Sequence, residues 1–149
     1  MKEAAGAPVG CVFCAALAKN NDTETHIVLR SEKSFIILNK FPYTSGHVMI
    51  VPYRHAPDLN GCEPGTLAEI MGLASRMEKA LLSLYKPDGI NLGMNLGRAA
   101  GAGVAGHIHL HILPRWFGDS NFMTVVGETR VHPEDLETVY ARLKQALAA

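Results

Sequence analysis

The sequence predicts an α+β fold in which an antiparallel sheet of about five strands is covered on one side by a long helix and a C-terminal helix. Short apolar runs of strand length alternate with turn residues, whereas helical spacing of apolar residues extends over residues 64–85 and 133–148. At 149 residues and 48% hydrophobic, the chain predicts one globular domain over residues 1–149, with residues 1–10 as a flexible lead. The strands are predicted at residues 26–30, 34–39, 46–52, 90–96 and 106–116.

Charge and hydropathy exclude several classes of partner. The formal net charge is zero and the sequence pI is about 7.1, so charge-driven binding to nucleic acid or to an anionic membrane is not expected. The sequence has no apolar run of roughly eighteen residues and no apolar leader before Cys11. These features predict a soluble, cytoplasmic protein without a membrane partner.

The first half of the chain is predicted to form a short helix followed by three strands. Residues 11–19 are rich in alanine and leucine, which favours a helix that carries Cys11 and Cys14 on its first turn. Residues 20–22 have the composition of a turn. The first two strands form a predicted hairpin, and His47 lies near the start of the third.

The second half is organised around the long helix of residues 64–85. Its apolar side chains recur at helical spacing between charged ones, and a proline–aspartate–glycine sequence ends it. The strand at residues 90–96 then delivers Asn95 to a glycine-bearing loop. The C-terminal helix, residues 133–148, begins with acidic residues that suit the positive end of a helix dipole.

The most informative stretch alternates histidine with aliphatic residues, from His107 through His109 to His111. Successive side chains of a strand point to opposite faces, so the three histidines share a face at intervals of ~7 Å. Ile108 and Ile112 then enter a core behind them. A helix would spread the imidazoles around its circumference, so the spacing has chemical meaning only on a strand.

Three interpretations of this histidine row remain open: a solvated strand face, a metal site, or nucleophilic catalysis in which one imidazole attacks and its neighbours donate hydrogen bonds. The preceding small-residue loop, residues 97–103, carries backbone N–H groups able to approach a phosphate closely. A nucleophile beside such a loop favours phosphoryl or nucleotidyl transfer. The C-x-x-C pair of Cys11 and Cys14 is half of a tetrahedral zinc site and requires histidine partners.

The run GHIHLHILPRW resembles the histidine triad (HIT) family, which is defined by three histidines that alternate with hydrophobic residues. The likeness extends through ILNKFPYTSGHVMIVPYRH and LGMNLG and so covers residues 11–122. PRWFGDSNFM after the triad is similar to the branch of dinucleoside polyphosphate phosphorylases and hydrolases. The resemblance implies a HIT-like fold, a homodimer, a small-molecule nucleotide substrate and no organic cofactor.

The resemblance also implies that His109, the middle histidine, attacks the α-phosphate of a dinucleoside polyphosphate or related adenine nucleotide. A neutral imidazole near pH 7 fits a covalent nucleotidyl-histidine intermediate, which phosphate or water then releases. The same match implies that substrate or phosphate is contacted by Asn39, His47, Asn95, Gly103, Val104 and His111. Alternatives are a strand-end or turn role for Asn39 and Asn95 and orientation of the triad for His47. A low-turnover nucleotide-binding regulatory module of this family is the alternative function.

A structural zinc ion is a further implication of the resemblance. Its ligands would be Cys11, Cys14, His55 and His107. This site would close the N-terminal segment against the sheet and leave His109 available for chemistry. The alternatives are two reduced cysteines in a small helix, or a metal-binding protein that uses the triad itself.

Several residues bear on substrate preference. Many family members carry serine or threonine three or four residues before the first triad histidine, where this chain has Gly103 and Val104. Either backbone N–H groups and Arg98 bind the phosphate instead, or the leaving-group step is weaker. Arg115 is a weaker candidate for neutralising distal phosphates. An apolar slot for a purine, or ordinary core packing, is predicted for Ile27, Leu38 and Phe41.

Overall fold

A computed structural model describes residues 9–120 and 133–148, so most of the predicted flexible lead lies outside the described residues. Five strands form one antiparallel sheet in the order β1-β2-β3-β5-β4. The strands are β1 (Ile27–Arg30), β2 (Ser34–Leu38), β3 (Val48–Pro52), β4 (Gly89–Gly93) and β5 (Leu110–Arg115). The described helices are α1 (Val12–Lys19), α2 (Asp22–Thr25), α3 (Pro64–Tyr85) and α4 (Leu136–Ala148). The predicted α+β fold is confirmed.

The main core lies between one face of the sheet and the helices α3 and α4. The apolar side chains of α3 recur at helical spacing and therefore form one stripe, which packs on alternate residues of the strands. Each aliphatic side chain buried there contributes about 1.5–3 kcal/mol. The largest fully buried members include Ile36, Leu38, Ile50, Ile70, Met77, Leu81, Ile112 and Leu143.

The opposite face of the sheet is covered as well, which corrects the prediction of helices on one side. Phe13 of α1 packs with Cys11 and Cys14 on this face, against residues of β1, β2 and β3. Because both faces are covered, all five residues of β2 and of β3 are buried. The short N-terminal helix is therefore part of a second core cluster.

The histidine strand begins later than the alternating pattern predicts. β5 starts at Leu110, which pairs with Ile50 of β3, whereas His107 and His109 lie in the segment before it. Pro52 has no N–H with which to continue the ladder. The backbone N–H of Ile108 instead donates to the carbonyl of Ala56 at 2.8 Å.

Smaller differences occur at other element ends. β4 ends at Gly93, so Asn95 lies in the following loop. The predicted turn at residues 20–22 continues into α2, because the side chain of Asn21 accepts a hydrogen bond from the backbone N–H of Glu24. His26, predicted as strand, ends α2 with a φ of 61°. No helix in the described ranges has the length and apolar character needed to cross a membrane.

Candidate active site and metal centre

Four side chains converge on one point and form what we call the metal cluster: Cys11, Cys14, His55 and His107. Cys11 precedes α1 and Cys14 lies on its first turn, so the start of one helix presents both thiols. His55 follows β3 and His107 precedes β5, and these strands are neighbours in the sheet. The four ligand atoms all lie within 4.8 Å of one another.

The separations within the metal cluster fit a tetrahedral ion. Nδ1 of His107 is 3.4 Å from Sγ of Cys11, 3.6 Å from Sγ of Cys14 and 3.2 Å from Nδ1 of His55. Ligand atoms around a tetrahedral zinc ion lie about 3.3–3.8 Å apart, given its bond lengths. Nε2 of His107 donates to the carbonyl oxygen of Pro52 at 2.8 Å. Nε2 therefore carries the ring proton, and Nδ1 carries the lone pair that a metal ion would bind. These four residues are able to hold a metal ion.

The protonation of the cysteines supports the same conclusion. Burial, together with the adjacent Cys11, raises the pKa of Cys14 to about 11. A thiolate at Cys14 is therefore disfavoured at neutral pH until a cation compensates its charge. The donor set therefore suits a divalent ion that accepts thiolate and imidazole ligands, which is the preference of zinc.

His109 lies next to the metal cluster and is 5% exposed. Its Nδ1 is 2.9 Å from the backbone carbonyl oxygen of His107. A carbonyl oxygen only accepts, so Nδ1 carries the proton and Nε2 carries the lone pair. Burial lowers the pKa of His109, although the hydrogen bond to His107 opposes the effect. The ring is neutral at pH 7, with Nε2 unprotonated.

A second chain of hydrogen bonds fixes His111 in the opposite tautomer. The backbone N–H of Tyr43 donates to Nδ1 of His47 at 3.2 Å, so the proton of the neutral His47 ring is on Nε2. That nitrogen donates to Nδ1 of His111 at 2.9 Å, a shorter contact than the 3.4 Å to the amide nitrogen of Asn39. Burial and neighbouring histidines lower the pKa of both rings to about 4. His111 therefore presents an N–H at Nε2.

A cavity of about 620 Å³ opens beside His109 and His111. Its lining brings together the predicted nucleophile, His109, and most of the predicted substrate-binding residues: Asn39, Asn95, Gly103, Val104 and His111. His47 is 1% exposed and lies behind His111, outside this lining. Leu38 and Phe41 of the predicted purine slot also line the cavity, whereas Ile27 is fully buried and packs in the core.

The loop between β4 and β5 forms one rim of the cavity. The amide nitrogen of Asn95 donates to the carbonyl oxygen of Gly101 at 3.4 Å. Gly101 has a φ of 93°, a conformation that favours glycine. Gly103 and Val104 carry no hydroxyl, so their part of the rim offers backbone groups to an anion.

The two arginines considered from the sequence lie outside the described cavity lining. Arg98 belongs to a short 3-10 turn, Arg98–Ala100. Arg115 pairs through Nε with Asp119 at 2.7 Å and through Nη1 with Asn91 at 2.7 Å. Arg115 therefore ties the chain after β5 to β4, and neither arginine replaces the absent hydroxyl in this structure.

Sequence analysis missed the part of the cavity that α1 supplies. The side chains that it adds are Val12, Phe13, Ala15, Ala16 and Lys19. The C-x-x-C motif could have predicted that α1 forms this side of the cavity. Once Cys11 and Cys14 share a metal ion with His107, the helix that begins at Cys11 has to lie beside the triad. The two alanines then leave room for a ligand.

Together, the five-stranded sheet and a triad with one unprotonated nitrogen facing a cavity define a histidine triad protein. The sequence profile of the HIT domain matches residues 20–118. The chain therefore belongs to the HIT family.

Individual proteins and solved structures of this family are also similar to the chain. The chain is 38% identical over 114 residues to the AP-4-A phosphorylase of Mycobacterium tuberculosis, an alignment that covers 76% of this chain and 58% of that protein. It thus spans less than two thirds of that relative's length. A Zn-bound histidine triad family protein from Mycobacterium smegmatis has a TM-score of 0.76 at 33% identity, covering 93% of this chain and 94% of that one. For a hypothetical histidine triad nucleotide-binding protein from Sulfolobus tokodaii strain7, the TM-score is 0.75 at 27% identity, with 93% and 92% covered.

Proposed function

We propose that this protein is a nucleotidyl transferase or hydrolase that acts on the α-phosphate of a dinucleoside polyphosphate through a nucleotidyl-His109 intermediate. The observation that carries the proposal is the tautomer of His109, whose Nδ1 proton is held by the His107 carbonyl while the ring borders the cavity. The name of the AP-4-A phosphorylase relative supports this substrate class.

In the first step, the lone pair of His109 Nε2 forms a bond to the α-phosphorus and the bond to the distal phosphate chain breaks. The leaving chain takes the electron pair of that bond. The His109 ring gains a positive charge, which the hydrogen bond from Nδ1 to the His107 carbonyl stabilises. His111 donates from Nε2 to a phosphate oxygen, where negative charge develops.

In the second step, water or inorganic phosphate attacks the same phosphorus and the bond to His109 breaks. The histidine recovers its neutral tautomer because the proton on Nδ1 never leaves. With diadenosine tetraphosphate, the water reaction gives AMP and ATP, and the phosphate reaction gives ADP and ATP. The two acceptors are therefore distinguishable by their products.

The test is to incubate the protein with diadenosine tetraphosphate, with and without phosphate, and to trap labelled enzyme by an alkaline detergent quench, in which a phosphorus–imidazole bond survives. We expect ATP together with AMP or ADP, and a His109→Asn variant at least about 10³-fold slower. His26→Asn is the matched control, because His26 lies outside the cavity lining and its φ of 61° is readily adopted by asparagine. Intact substrate under both conditions would contradict the proposal.

The second candidate function is a low-turnover nucleotide-binding module. The observation that favours it is the absence of a hydroxyl at Gly103 and Val104, where the leaving group would otherwise find a donor. It predicts that AMP binds in calorimetry but that an alkaline detergent quench traps no labelled protein. His109→Asn would then change affinity alone.

We also propose that the metal is a structural zinc ion held by the metal cluster. The interatomic distances and the Zn-bound relative from Mycobacterium smegmatis support this assignment. Metal analysis should find about one zinc per chain, lost in Cys14→Ser and retained in His109→Asn and Cys62→Ser. Loss of zinc from His109→Asn would instead indicate binding by the triad itself.

Finally, we propose that the chain acts as a single HIT domain and forms a homodimer. β4 is an edge strand of the described sheet, and Leu92 on it is 46% exposed, which makes this edge a candidate for pairing with a second copy. Light scattering should give twice the chain mass of 16.1 kDa. Leu92→Lys should give the monomer mass, and Met71→Lys on exposed α3 surface should not.

A further inference from the structure

Phe13 connects the metal cluster to the candidate nucleophile. It lies between Cys11 and Cys14 in the sequence and is 2% exposed. The centroid of its ring is 5.4 Å from that of His107 at an interplanar angle of 73°, and 5.0 Å from that of His109 at 51°. One aromatic ring therefore contacts both a metal-cluster imidazole and the imidazole proposed to attack phosphorus.

The orientation of His109 depends on such contacts. Its hydrogen bond from Nδ1 to the His107 carbonyl sets the tautomer but leaves the ring able to tilt about that bond. On one side the ring meets His111, with centroids 4.8 Å apart at 70°. The ring also contacts that of Phe13. Because His111 is itself held by His47, Phe13 is the support that comes from a separate element, α1.

The position of α1 depends in turn on its cysteines. The helix has eight residues, and its start has no side-chain cap. A helix of this length is not stable by itself in water, so tertiary contacts must hold it. Cys11 and Cys14 flank Phe13 and belong to the metal cluster, so they fix the turn that carries the phenylalanine ring.

We propose that Phe13 is a positioning residue that sets the direction of the His109 ring and thereby links the metal cluster to the nucleophile. The effect that this inference predicts on catalysis rests on the proposed function. A positioning role affects the chemical step more than substrate binding, because a small misalignment of a reacting nitrogen costs rate steeply. Removing the aromatic ring should therefore lower kcat while KM changes little.

The experiment compares zinc-loaded Phe13→Leu with zinc-loaded Phe35→Leu. Phe35 is the matched control because it is fully buried in the same core cluster, stacks on Tyr53 and lies outside the cavity lining. Three quantities are measured: bound zinc, kcat and KM for diadenosine tetraphosphate, and the ¹⁵N signals of the His109 ring. We expect zinc in both variants, and in Phe13→Leu a kcat at least about ten-fold below that of Phe35→Leu, with KM within about three-fold.

The ring signals give a readout that does not depend on turnover. We expect a single tautomer of His109 in the wild type and in Phe35→Leu, averaged signals in Phe13→Leu, and recovery in Phe13→Tyr, which keeps the ring. Equal kcat and equal His109 signals in the two leucine variants would overturn the inference, as would an effect on KM alone. If Phe13→Leu does not fold, cross-relaxation between the Phe13 and His109 ring protons in the wild type decides, and its absence overturns the inference.

The two proposals fail in different ways. If wild type and His109→Asn are equally inactive, the proposed function is wrong, and the His109 signals alone decide the role of Phe13. If the wild type turns over substrate and Phe13→Leu matches Phe35→Leu, the proposed function stands and the positioning role is wrong.

Discussion

At the scale of single residues, the site depends on protons held by backbone groups. His109 keeps its proton on Nδ1 because it faces a carbonyl, and His47 keeps its proton on Nε2 because Tyr43 offers an N–H. His111 therefore presents an N–H toward the cavity, whereas His109 presents a lone pair. Under the proposed function, these two neutral imidazoles would be the phosphate donor and the nucleophile.

The first prediction tests the hydrogen bond from His47 to His111. In His47→Phe, Nδ1 of His111 loses its donor and the ring is no longer held in one tautomer. We expect kcat to fall about 10- to 100-fold, since a phosphate donor is misoriented rather than removed. Zinc content should not change, because His47 is not in the metal cluster. A kcat equal to that of the wild type would show that His111 is oriented by something else.

A second residue-scale prediction concerns Gly46, which precedes His47. Its φ is +84°, and an added Cβ would lie 3.0 Å from the Tyr85 ring and 3.1 Å from Leu81. Gly46→Ala should therefore cost about 1–3 kcal/mol in the free energy of unfolding, measured in urea. Gly72→Ala is the control with the opposite sign: it lies inside α3 with open space around it, and should stabilise by about 0.5–1 kcal/mol.

The sequence predicts which residues meet, but it does not predict which ring nitrogens of the histidines carry protons. Cys11, Cys14, His55 and His107 come together as the resemblance implied. The tautomers of His109 and His111 could not be predicted, because they depend on which backbone groups each ring meets after folding.

At the scale of elements, α3 holds the β1–β2 hairpin through one carboxylate. Glu69 accepts hydrogen bonds from the hydroxyls of Ser31 and Ser34 and from the backbone N–H of Lys33. Burial would raise the pKa of Glu69, but these hydrogen bonds lower it overall. The carboxylate is thus charged near pH 7, and its contribution is lost as the pH falls below the ordinary value of 4.5.

The third prediction follows from this contact. Glu69→Ala leaves the fully buried Ser34 hydroxyl and the Lys33 N–H without their acceptor, at a cost of about 2–3 kcal/mol in the free energy of unfolding. Glu78→Ala, at an exposed position of the same helix, should change stability by no more than about 0.5 kcal/mol. Equal losses in the two variants would show that the hairpin contact is not the cause, since alanine is the better helix former and propensity alone would give no loss.

Element types were easier to predict from the sequence than element ends. Helix α3 begins and ends where its apolar spacing predicts, at Pro64 and Tyr85. The histidine strand was predicted too long because alternation describes an extended chain, whether or not a neighbouring strand pairs with it. Here the ladder between β3 and β5 stops near Pro52, and the first two triad histidines lie beyond it.

At the scale of the whole molecule, the two faces of the sheet have different roles. The face under α3 and α4 buries the larger aliphatic core, which supplies most of the hydrophobic stability. The face under α1 is smaller and carries the metal cluster, the triad and the cavity. Because the rings of His47 and His111, on or beside this second face, have pKa values of about 4, the stability of the protein depends on pH.

The fourth prediction is the direction of that dependence. The pKa of His47 and of His111 is about 4 in the folded chain and about 6.5 in the unfolded chain, so between these values the unfolded state binds more protons. Stability is therefore fully present above pH 6.5 and falls as the pH is lowered toward 4. Each imidazole contributes a slope of up to about 1.4 kcal/mol per pH unit.

Comparison of the wild type with His47→Phe separates this effect from proton uptake by the metal cluster, which both proteins share. His47 titrates among His111 and His109, and its removal takes one proton-binding group out of the unfolded state. Between pH 7 and pH 4.5, the wild type should therefore lose about 1–3 kcal/mol more of its free energy of unfolding than His47→Phe loses. Urea titrations at four or five pH values measure it. A difference that stays constant with pH would mean that His47 binds protons equally in the folded and unfolded chains, and that burial does not keep its ring neutral.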